Sequence, residues 1–469
     1  MSTKLHLRSV WGALLRLPGA VAMILILSAA SAAAQTVNCP GDSLNGALAA
    51  LDKTVPNTLS INGTCTEAVV VDGFPNNLNL QGSGGAIIQR PGADPALQVR
   101  GSGQVNITGL TIQGPGVANT NIPLVSISRS NVTISNVVIQ GSLSDGLDIL
   151  DSGTVWIGGT TIQDNGAVGL SVGAHTNANV SAWNWPPGTS VLQRNGTGLS
   201  VAQEGTATVG DVTIQGNKTG VNASGWLALG DWGVSAPTIT GNGKTVDDTA
   251  VGIGGSGDVW INPPTVIRDN LGHGVGVEFG GNLKLCCSAG TTTISNNGGI
   301  GINAWMGGQV FFWGPQTVIE LNRRGGIGIH SGSRAHLGGQ GTIVRKNGDP
   351  SDPNSYGGIR VEMNSVLFGV VATVSDNYGP GVFVNSASAA NFSSGTVITG
   401  NHGPGVLLQL NSTAEFADDV NVTGNRKLEL VCTTGSVAGA PKGARPNIGR
   451  MDCTDWGKLL PRPAWDTAY

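Results

Sequence analysis

The residues best suited to chemistry lie in four alternating segments in the second half of the chain. Each segment reads glycine, apolar, any residue, apolar, any residue, as in the run G-I-G-I-H at residues 326–330. Because side chains alternate along a strand, the apolar pair faces a core, and the third and fifth positions, here named x and y, face solvent. With Gly274, Gly299, Gly326 and Gly358 as opening glycines, position x holds Gly276, Gly301, Gly328 and Arg360, and position y holds Glu278, Asn303, His330 and Glu362. The segments therefore predict a flat glycine floor beside a polar, titratable row.

This floor is suited to a sugar chain, which offers hydroxyl groups at its rim and C–H faces for stacking on aromatic rings. Aromatic residues occur in the same repeats at positions 305 and 311–313. The predicted substrate-binding residues are Glu278, Asn303, His330, Arg360 and Glu362. The alternative is an ordinary solvated sheet face, since exposed polar residues are the default.

Arg360 and His330 are the candidate catalytic residues. The guanidinium fork of Arg360 matches a sugar carboxylate or hydroxyl. Removal of a proton next to a carboxylate needs a positioned base, and either residue could supply it, although a guanidinium is hard to deprotonate. Glu278 and Glu362 would accept hydrogen bonds, and they could hold a cation if they come close. The row therefore predicts polysaccharide binding, and a lyase step is the chemistry that it would support.

A second candidate site is the acidic segment that contains Asp145, Asp148 and Asp151. Carboxylates gathered near a strand can hold Ca²⁺. The alternative is a solubilising turn, and no basic residue lies close in sequence to serve as a base. Calcium is therefore a candidate cofactor of this segment.

A repeat that runs from the middle of the chain almost to its end must position these residues. In each copy an apolar pair leads into a turn that ends on asparagine. The asparagines are Asn165, Asn195, Asn217, Asn242, Asn270, Asn297, Asn322, Asn347, Asn377, Asn401 and Asn425. Their spacing of 22 to 30 residues is too short for a propeller blade of roughly 40 residues or more. The repeat predicts the coils of a parallel β-helix, with the asparagines stacked at one turn because Asn tolerates left-handed backbone and can bond its equivalents in neighbouring coils.

The pattern resembles the right-handed parallel β-helix superfamily that includes pectate lyases and polygalacturonases, over roughly residues 36–430. The resemblance implies an all-β fold, a single-stranded right-handed parallel β-helix solenoid with an N-terminal capping helix. It also implies an exported protein that contacts extracellular or cell-wall polysaccharide, as a pectate-lyase-like lyase or a glycoside hydrolase. The alternative from a different class is a non-catalytic surface, adhesion or spacer protein.

Three short motifs are similar to those of polygalacturonases: G-H-G at residues 272–274, D-G-L-D-I at 145–149 and R-V-E at 360–362, where Glu362 replaces a lysine. Asp145 and His273 are separated by about five coils, which is over roughly 20 Å at the strand spacing of a sheet. Glycoside hydrolysis needs its two carboxyl groups within about 10 Å. The motif G-H-G also occupies the repeat position that G-P-G fills at 379–381 and 403–405. We therefore interpret the match as a consequence of the repeat, in which glycines recur at these positions.

Residues 1–34 are predicted to be a secretory signal peptide, with Lys4, Arg8 and Arg16 before an apolar run and A-A-A at the end. The run is too short to span a membrane comfortably, and no later run is long enough. Removal leaves 22 basic against 29 acidic residues, from the 25 and 29 of the whole chain. This mildly acidic balance argues against nucleic acid and anionic membranes as partners, and the predicted location is extracellular or periplasmic.

The remaining chain is predicted to comprise an N-terminal cap at 35–68, the β-helix at 69–430 and a C-terminal tail at 431–469. Apolar residues from Leu44 at helical spacing predict a capping helix, with Asp42 or Ser43 as N-cap. Export favours disulfides, and the predicted pairs are Cys39–Cys65 and Cys432–Cys453. The adjacent Cys286 and Cys287 could form a vicinal disulfide or remain thiols.

Overall fold

The computed structural model describes residues 33–114, 122–182, 185–230, 236–243, 252–314, 316–339, 341–351, 355–433 and 435–457. There the chain is an all-β parallel β-solenoid of about 16 coils, and paired strands belong to successive coils. Each regular coil runs through three strands, here assigned to faces 1, 2 and 3. The fold predicted from the repeat is therefore confirmed.

Face 1 is a sheet of 16 strands, counted over the described residues. Its strands are Val69–Asp72, Leu97–Arg100, Val125–Ser128, Leu147–Leu150, Val168–Val172, Thr197–Val201, Thr219–Ala223, Ile253–Gly255, Val275–Val277, Ile300–Ala304, Gly325–Ile329, Gly357–Val361, Val382–Val384, Val406–Leu408, Leu430–Cys432 and Met451–Asp452.

Faces 2 and 3 form one further sheet of 31 described strands, because two long early strands take part in both. Face 2 comprises Ala33–Asn38, Asn57–Thr66, Leu78–Gln89, Val105–Thr108, Asn131–Ser135, Thr154–Gly158, Asn177–Val180, Thr206–Val209, Trp226–Leu229, Asp258–Ile261, Asn282–Leu285, Gln309–Phe312, Arg334–His336, Val366–Val370, Ala389–Phe392, Thr413–Phe416 and Val437–Gly439. Face 3 comprises Thr111–Gln113, Val138–Gln140, Thr161–Gln163, Ser190–Gln193, Val212–Gln215, Thr238–Thr240, Val266–Arg268, Thr292–Ser295, Thr317–Glu320, Thr342–Arg345, Ala372–Ser375, Val397–Thr399, Asn421–Val422 and Asn447–Ile448.

The core is a column of apolar side chains from all three faces. Alternate residues of the strands point inward, so Val275, Ile302 and Ile327 stack on face 1 and are at most 1% exposed. Toward the C-terminal end, Phe392 and Phe416 stack with ring centroids 4.9 Å apart. Each coil buries its apolar face against its neighbours, which is why repeats of this kind are stable only as a stack.

The eleven predicted asparagines form one buried ladder at the turn between face 3 and face 1. From Asn165 to Asn401, each side-chain Nδ2 donates to Oδ1 of the next asparagine at 2.8–3.1 Å. The last member, Asn425, donates to Glu429 Oε2 at 2.6 Å. The stacking is confirmed, but one reason given for it is wrong. The left-handed backbone belongs to the residue before each asparagine, such as Leu321 with φ of 59°.

A row of glycines on face 1 accompanies the ladder. A Cβ on these glycines would lie 2.7–3.2 Å from the Nδ2 atom of the asparagine in the following coil. The members are Gly146, Gly169, Gly198, Gly220, Gly252, Gly274, Gly301, Gly326, Gly358, Gly381 and Gly405. A side chain there would collide with the ladder, so the glycine and the asparagine recur together.

The N-terminal end carries the one helix of the described residues, Leu44–Ala50, and the Ser43 side chain caps it by accepting from the Gly46 amide at 3.0 Å. Disulfides join Cys39 to Cys65 and Cys432 to Cys453, the pairs predicted from the sequence. Cys286 and Cys287 form a vicinal disulfide, which decides between the two alternatives. The predicted signal peptide lies almost wholly outside the described residues, and its boundary at residue 34 falls inside the first strand. The division into domains stays a prediction.

Candidate functional site

The strand register of face 1 corrects the predicted alignment in one coil. Gly276 pairs with Asn303, Asn303 with Gly328, and Gly328 with Arg360. Gly301, not Gly299, lies in the glycine row beside Asn322, so Asn303 occupies the x position and Trp305 the y position. The opening glycine follows the asparagine by four residues in this coil, as Gly326 follows Asn322. The coil before, with Asn270 and Gly274, has the same offset, and this agreement of the two flanking coils is the signal that would have selected Gly301.

His330, Glu362 and Arg360 form a hydrogen-bonded group on this face. His330 Nδ1 lies 3.0 Å from Glu362 Oε1. The Arg360 Nε and Nη2 atoms donate to Glu362 Oε2 at 2.7 and 2.6 Å. The side chains of Glu362 and His330 are only 9% and 15% exposed, and that of Arg360 is 31% exposed. The structure therefore brings together three of the five predicted substrate-binding residues in direct contact.

Tyr356 is a member of this site that the sequence did not identify. It ends the long loop at 348–356, whose residues 352–354 lie outside the described part of the chain. Its ring lies over Gly325, where a Cβ would be 2.5 Å from two ring carbons. The Arg360 guanidinium lies over the same ring, 5.4 Å from its centroid. Glycine at position 325 therefore makes room for an aromatic side chain that the loop folds back onto the sheet.

Three polar atoms converge above Gly328. The point where a Cβ of Gly328 would lie is 2.5 Å from His330 Nε2, 2.8 Å from Tyr356 Oη and 2.9 Å from Asn303 Oδ1. Gly328 is buried beneath them, so the predicted open floor of three glycines is wrong. Its three members also differ in place, since Gly301 belongs to the ladder row and only Gly276 and Gly328 share the x row. We name Asn303, His330, Tyr356, Arg360 and Glu362 the Gly328 cluster.

Two atoms of the Gly328 cluster are buried without a hydrogen-bond partner, Tyr356 Oη and Asn303 Oδ1. Tyr356 is only 7% exposed. Burying a polar atom with no partner costs about 1–3 kcal/mol, so each such atom in a folded protein needs an explanation, and a functional role is one. These two atoms therefore make the cluster a candidate binding site.

The environment fixes the charge states of the cluster. Burial tends to raise the pKa of Glu362, but hydrogen bonds and charge from His330 and Arg360 outweigh it and lower the pKa overall. Burial raises the pKa of Tyr356 far above its usual range. At neutral pH the site thus holds a carboxylate and a protonated tyrosine. Because Glu362 is charged, the Nδ1–H of His330 is the donor in this hydrogen bond, and Nε2 is the ring nitrogen that faces Gly328.

His273 lies at the edge of the cluster as a neutral imidazole. Its Nδ1 accepts from the Ile300 amide at 2.8 Å, so its proton is on Nε2. Burial, followed by the nearby charges of Arg324 and His330, lowers the pKa of His273 to about 4. It lies in the same row as Pro380 and Pro404, as expected if the motif G-H-G reflects repeat phase.

Glu278 and Phe311 do not join the cluster. Glu278 and His330 share the y row, but Trp305 stands between them, so they are two coils or about 10 Å apart. Phe311 lies on face 2, where it pairs with Lys284 and His336. The prediction that these aromatics border the floor is therefore wrong for Phe311, because the chain turns from face 1 to face 2 between residues 304 and 309.

The three aspartates lie on the strand Leu147–Leu150 and its flanks. Asp145 Oδ1 accepts from the Val168 amide at 2.8 Å, and Asp148 bonds Ser171. Asp151 is in the exposed turn that follows. The described residues contain no group of three or more His, Cys, Asp and Glu that could hold a metal ion, so calcium binding here stays a prediction. Five strand steps on face 1 separate Asp145 from His273, as predicted.

Comparison with known proteins assigns no family to this chain. No protein-family model and no curated protein matches the chain. Among solved structures, the A-module of the mannuronan C-5 epimerase AlgE6 from Azotobacter vinelandii is similar at 12% identity, over 84% of this chain and 93% of that module, with a TM-score of 0.26. A likeness this distant supports no statement about activity. Within the described residues, no helix has the length and apolar character needed to cross a membrane.

Proposed function

We propose that this chain, outside the cell or in the periplasm, binds an acidic polysaccharide along face 1 and removes the proton next to a sugar carboxylate at the Gly328 cluster. The observation that carries the proposal is the convergence of His330 Nε2, Tyr356 Oη and Asn303 Oδ1 above Gly328, with Arg360 beside them. Three disulfides favour an oxidising compartment. The same proposal includes a relationship of this chain to pectate-lyase-like proteins, as the sequence resemblance implies.

The row of small side chains that leads to the cluster supports binding of a polymer. Along face 1 the outward x row holds no residue larger than asparagine for seven coils. Its members are Ser126, Asp148, Ser171, Ser200, Asn222, Gly254 and Gly276. On the far side of the cluster the row continues with Phe383 and Leu407. A sugar chain parallel to the solenoid axis therefore meets no large x-row side chain before it reaches the cluster.

His330 is the residue that we assign as base, in preference to Arg360. Both contacts of Arg360 with Glu362 use guanidinium N–H groups as donors, and a guanidinium is not deprotonated in proteins, so it cannot take up a proton. Glu362 holds the His330 ring through Nδ1 and stabilises the imidazolium that proton uptake creates, the arrangement by which a carboxylate orients a general base. The exposed part of Arg360 is placed to pair with the sugar carboxylate.

The reaction then needs few parts. His330 Nε2 takes the proton on the carbon next to the carboxylate, and the charge that develops on the carboxylate is balanced by Arg360. Return of a proton to the opposite face of the same carbon inverts its configuration. Departure of the glycosidic oxygen from the adjacent carbon, with a proton taken from solvent, instead forms a carbon–carbon double bond and cleaves the chain. Both outcomes begin with the same proton transfer. The alternative function, a rigid surface or spacer protein, requires none of these groups.

A binding experiment tests the proposal at the level of recognition. The mature protein is applied to an array of acidic and neutral polysaccharides, together with Arg360→Gln and His330→Ala. Arg360→Gln is expected to weaken binding to acidic polymers about tenfold or more, since a charge-assisted hydrogen bond contributes about 1.5–3 kcal/mol. His330→Ala is expected to bind with nearly native affinity, because its role is in proton transfer.

Two matched variants serve as controls. Arg268→Gln removes an exposed arginine on face 3 that pairs with Asp269, and His175→Ala removes an exposed histidine that pairs with Glu204. Neither should change binding. Failure of the native protein to bind any acidic polymer would contradict the proposal and favour the spacer function. Equal losses in Arg360→Gln and Arg268→Gln would move the site away from the cluster.

A further inference from the structure

We infer that Tyr356 and Asn303 together recognise one free hydroxyl group of the bound sugar and so determine which acidic polysaccharide is accepted. This inference rests on the proposed function, since it names a specificity within the same site. It begins from the two unpartnered atoms, Tyr356 Oη and Asn303 Oδ1. Both are buried, and they lie 2.8 and 2.9 Å from the position that a Cβ of Gly328 would take, so they border the same small region of face 1.

The two atoms have opposite hydrogen-bonding requirements. The phenol of Tyr356 is protonated, because burial raises its pKa far above neutral, so it offers a proton. Asn303 Oδ1 is an amide carbonyl oxygen and can only accept. A carboxylate, a sulfate or an ether oxygen accepts but cannot donate, and an ammonium group donates but cannot accept. A hydroxyl group does both at once, so it satisfies Tyr356 and Asn303 together.

The setting makes this recognition selective. The Tyr356 ring is held between the backbone at Gly325 and the guanidinium of Arg360, so Oη has little freedom to find another partner. A ligand without the hydroxyl would leave both atoms buried and unpaired in the complex. A site built to hydrogen-bond a hydroxyl rejects analogues that lack it far more strongly than an apolar pocket rejects a missing methylene. Acylation, sulfation or absence of that one hydroxyl should therefore exclude a polymer from the site.

The test uses three sets of short uronate oligosaccharides: the unmodified trisaccharide, trisaccharides with a single hydroxyl replaced by hydrogen, and trisaccharides with a single hydroxyl converted to its methyl ether. Binding to the full mature chain is measured by calorimetry. One position is expected at which the deoxy compound binds the native protein about ten- to a hundredfold more weakly than the unmodified compound. Replacement at the other positions should have smaller effects.

Two variants then assign the hydroxyl to its partners. Tyr356→Phe retains the ring and removes only Oη, and it should weaken binding of the unmodified compound and of the methyl ether about tenfold, because the ether oxygen still accepts. Asn303→Ala should weaken binding of the unmodified compound about tenfold. It should leave binding of the methyl ether unchanged, because an ether has no proton to donate. Neither variant should further weaken the deoxy compound. Tyr378→Phe, at a tyrosine that is 44% exposed and packs on His402, is the matched control and should change nothing.

The outcomes separate this inference from the proposed function. If the native protein binds none of the uronate compounds, the proposed function fails and the inference fails with it. If the unmodified trisaccharide binds, but Tyr356→Phe and Asn303→Ala reduce affinity equally for all compounds, then uronate binding stands and hydroxyl recognition is overturned. A structure of the complex in which both atoms bond only a water molecule would also overturn it.

Discussion

At the scale of single residues, the site depends on polar groups that the fold buries in defined protonation states. His273 is kept neutral, Glu362 is kept charged and Tyr356 is kept protonated, each by its surroundings. Groups whose pKa values are moved apart in one cleft are typical of acid–base chemistry. Residue type alone could not predict this, because the pKa of each group is set by neighbours from other coils.

Asp148 shows how this burial affects stability. Burial raises the pKa of Asp148 to about 6, the Ser171 hydrogen bond opposes the change, and the charge of Asp145 adds to it. Because the pKa is higher in the folded state than in the unfolded state, Asp148 favours folding below about pH 4, and that contribution is lost as the pH rises through about 6. Asp148→Asn should therefore raise the free energy of unfolding by about 1–2 kcal/mol near pH 8 and by little near pH 4.

Urea denaturation at the two pH values checks this prediction. Asp151→Asn, in the exposed turn of the same coil, is the matched control and should have little effect at either pH. A stabilisation by Asp148→Asn that is the same at both pH values would show that the pKa of this carboxyl is not the cause.

At the scale of elements, the sequence was most informative where one residue type has one structural reason. The asparagines stack because each amide bonds the next, and the glycines accompany them because a side chain would collide with that amide. The repeat therefore predicted the fold, the ladder turn and His330, Arg360 and Glu362 as neighbours. In one coil, two nearby glycines allowed two alignments, and the register of Asn303 was predicted incorrectly.

Tyr356 could not be found by the same reasoning. It belongs to a loop that interrupts the repeat, so no period relates it to face 1. Its position follows from contacts with Gly325 and Gly328 of the preceding coil and with Arg360 of its own coil, and the repeat pattern predicts none of these contacts. The signal available beforehand was only that long excursions from a repeat often carry function.

Asn322→Ala tests the ladder. Asn322 is fully buried, accepts from the Asn297 side chain at 2.8 Å and donates to Asn347 at 3.0 Å. Its removal leaves buried amide groups unpaired on both sides, so the free energy of unfolding should fall by about 2–4 kcal/mol. Urea denaturation measures the loss.

Asn106→Ala is the matched control for the ladder prediction. Asn106 is a partly buried asparagine outside the ladder that also bonds an asparagine of the neighbouring coil, Asn79, at 2.8 Å. This substitution should lower the free energy of unfolding by only about 0.5–1 kcal/mol. Equal losses for Asn322→Ala and Asn106→Ala would contradict the special role of the buried ladder.

At the scale of the whole molecule, the solenoid determines which residues can act together. Neighbouring coils are about 4.8 Å apart, so residues of three consecutive coils can share one site, as Asn303, His330 and Arg360 do. Residues five coils apart cannot, which separates Asp145 from His273 despite their motif-like surroundings. The long axis also gives a polymer a continuous row of small side chains along face 1.

The most direct test of proton removal by His330 is the incorporation of solvent deuterium into the substrate. Acidic polysaccharides that bind the native protein are incubated with it in D₂O, and the carbon next to the carboxylate is examined by NMR, together with any unsaturated product. With the native protein and with His175→Ala, we expect deuterium at that carbon, or an unsaturated product from which the original hydrogen has been lost by elimination. We expect a reduction of at least about a hundredfold with folded His330→Ala, the typical contribution of a general base. Tight binding by the native protein without exchange or elimination, or exchange that His330→Ala leaves unchanged, would contradict proton removal by His330.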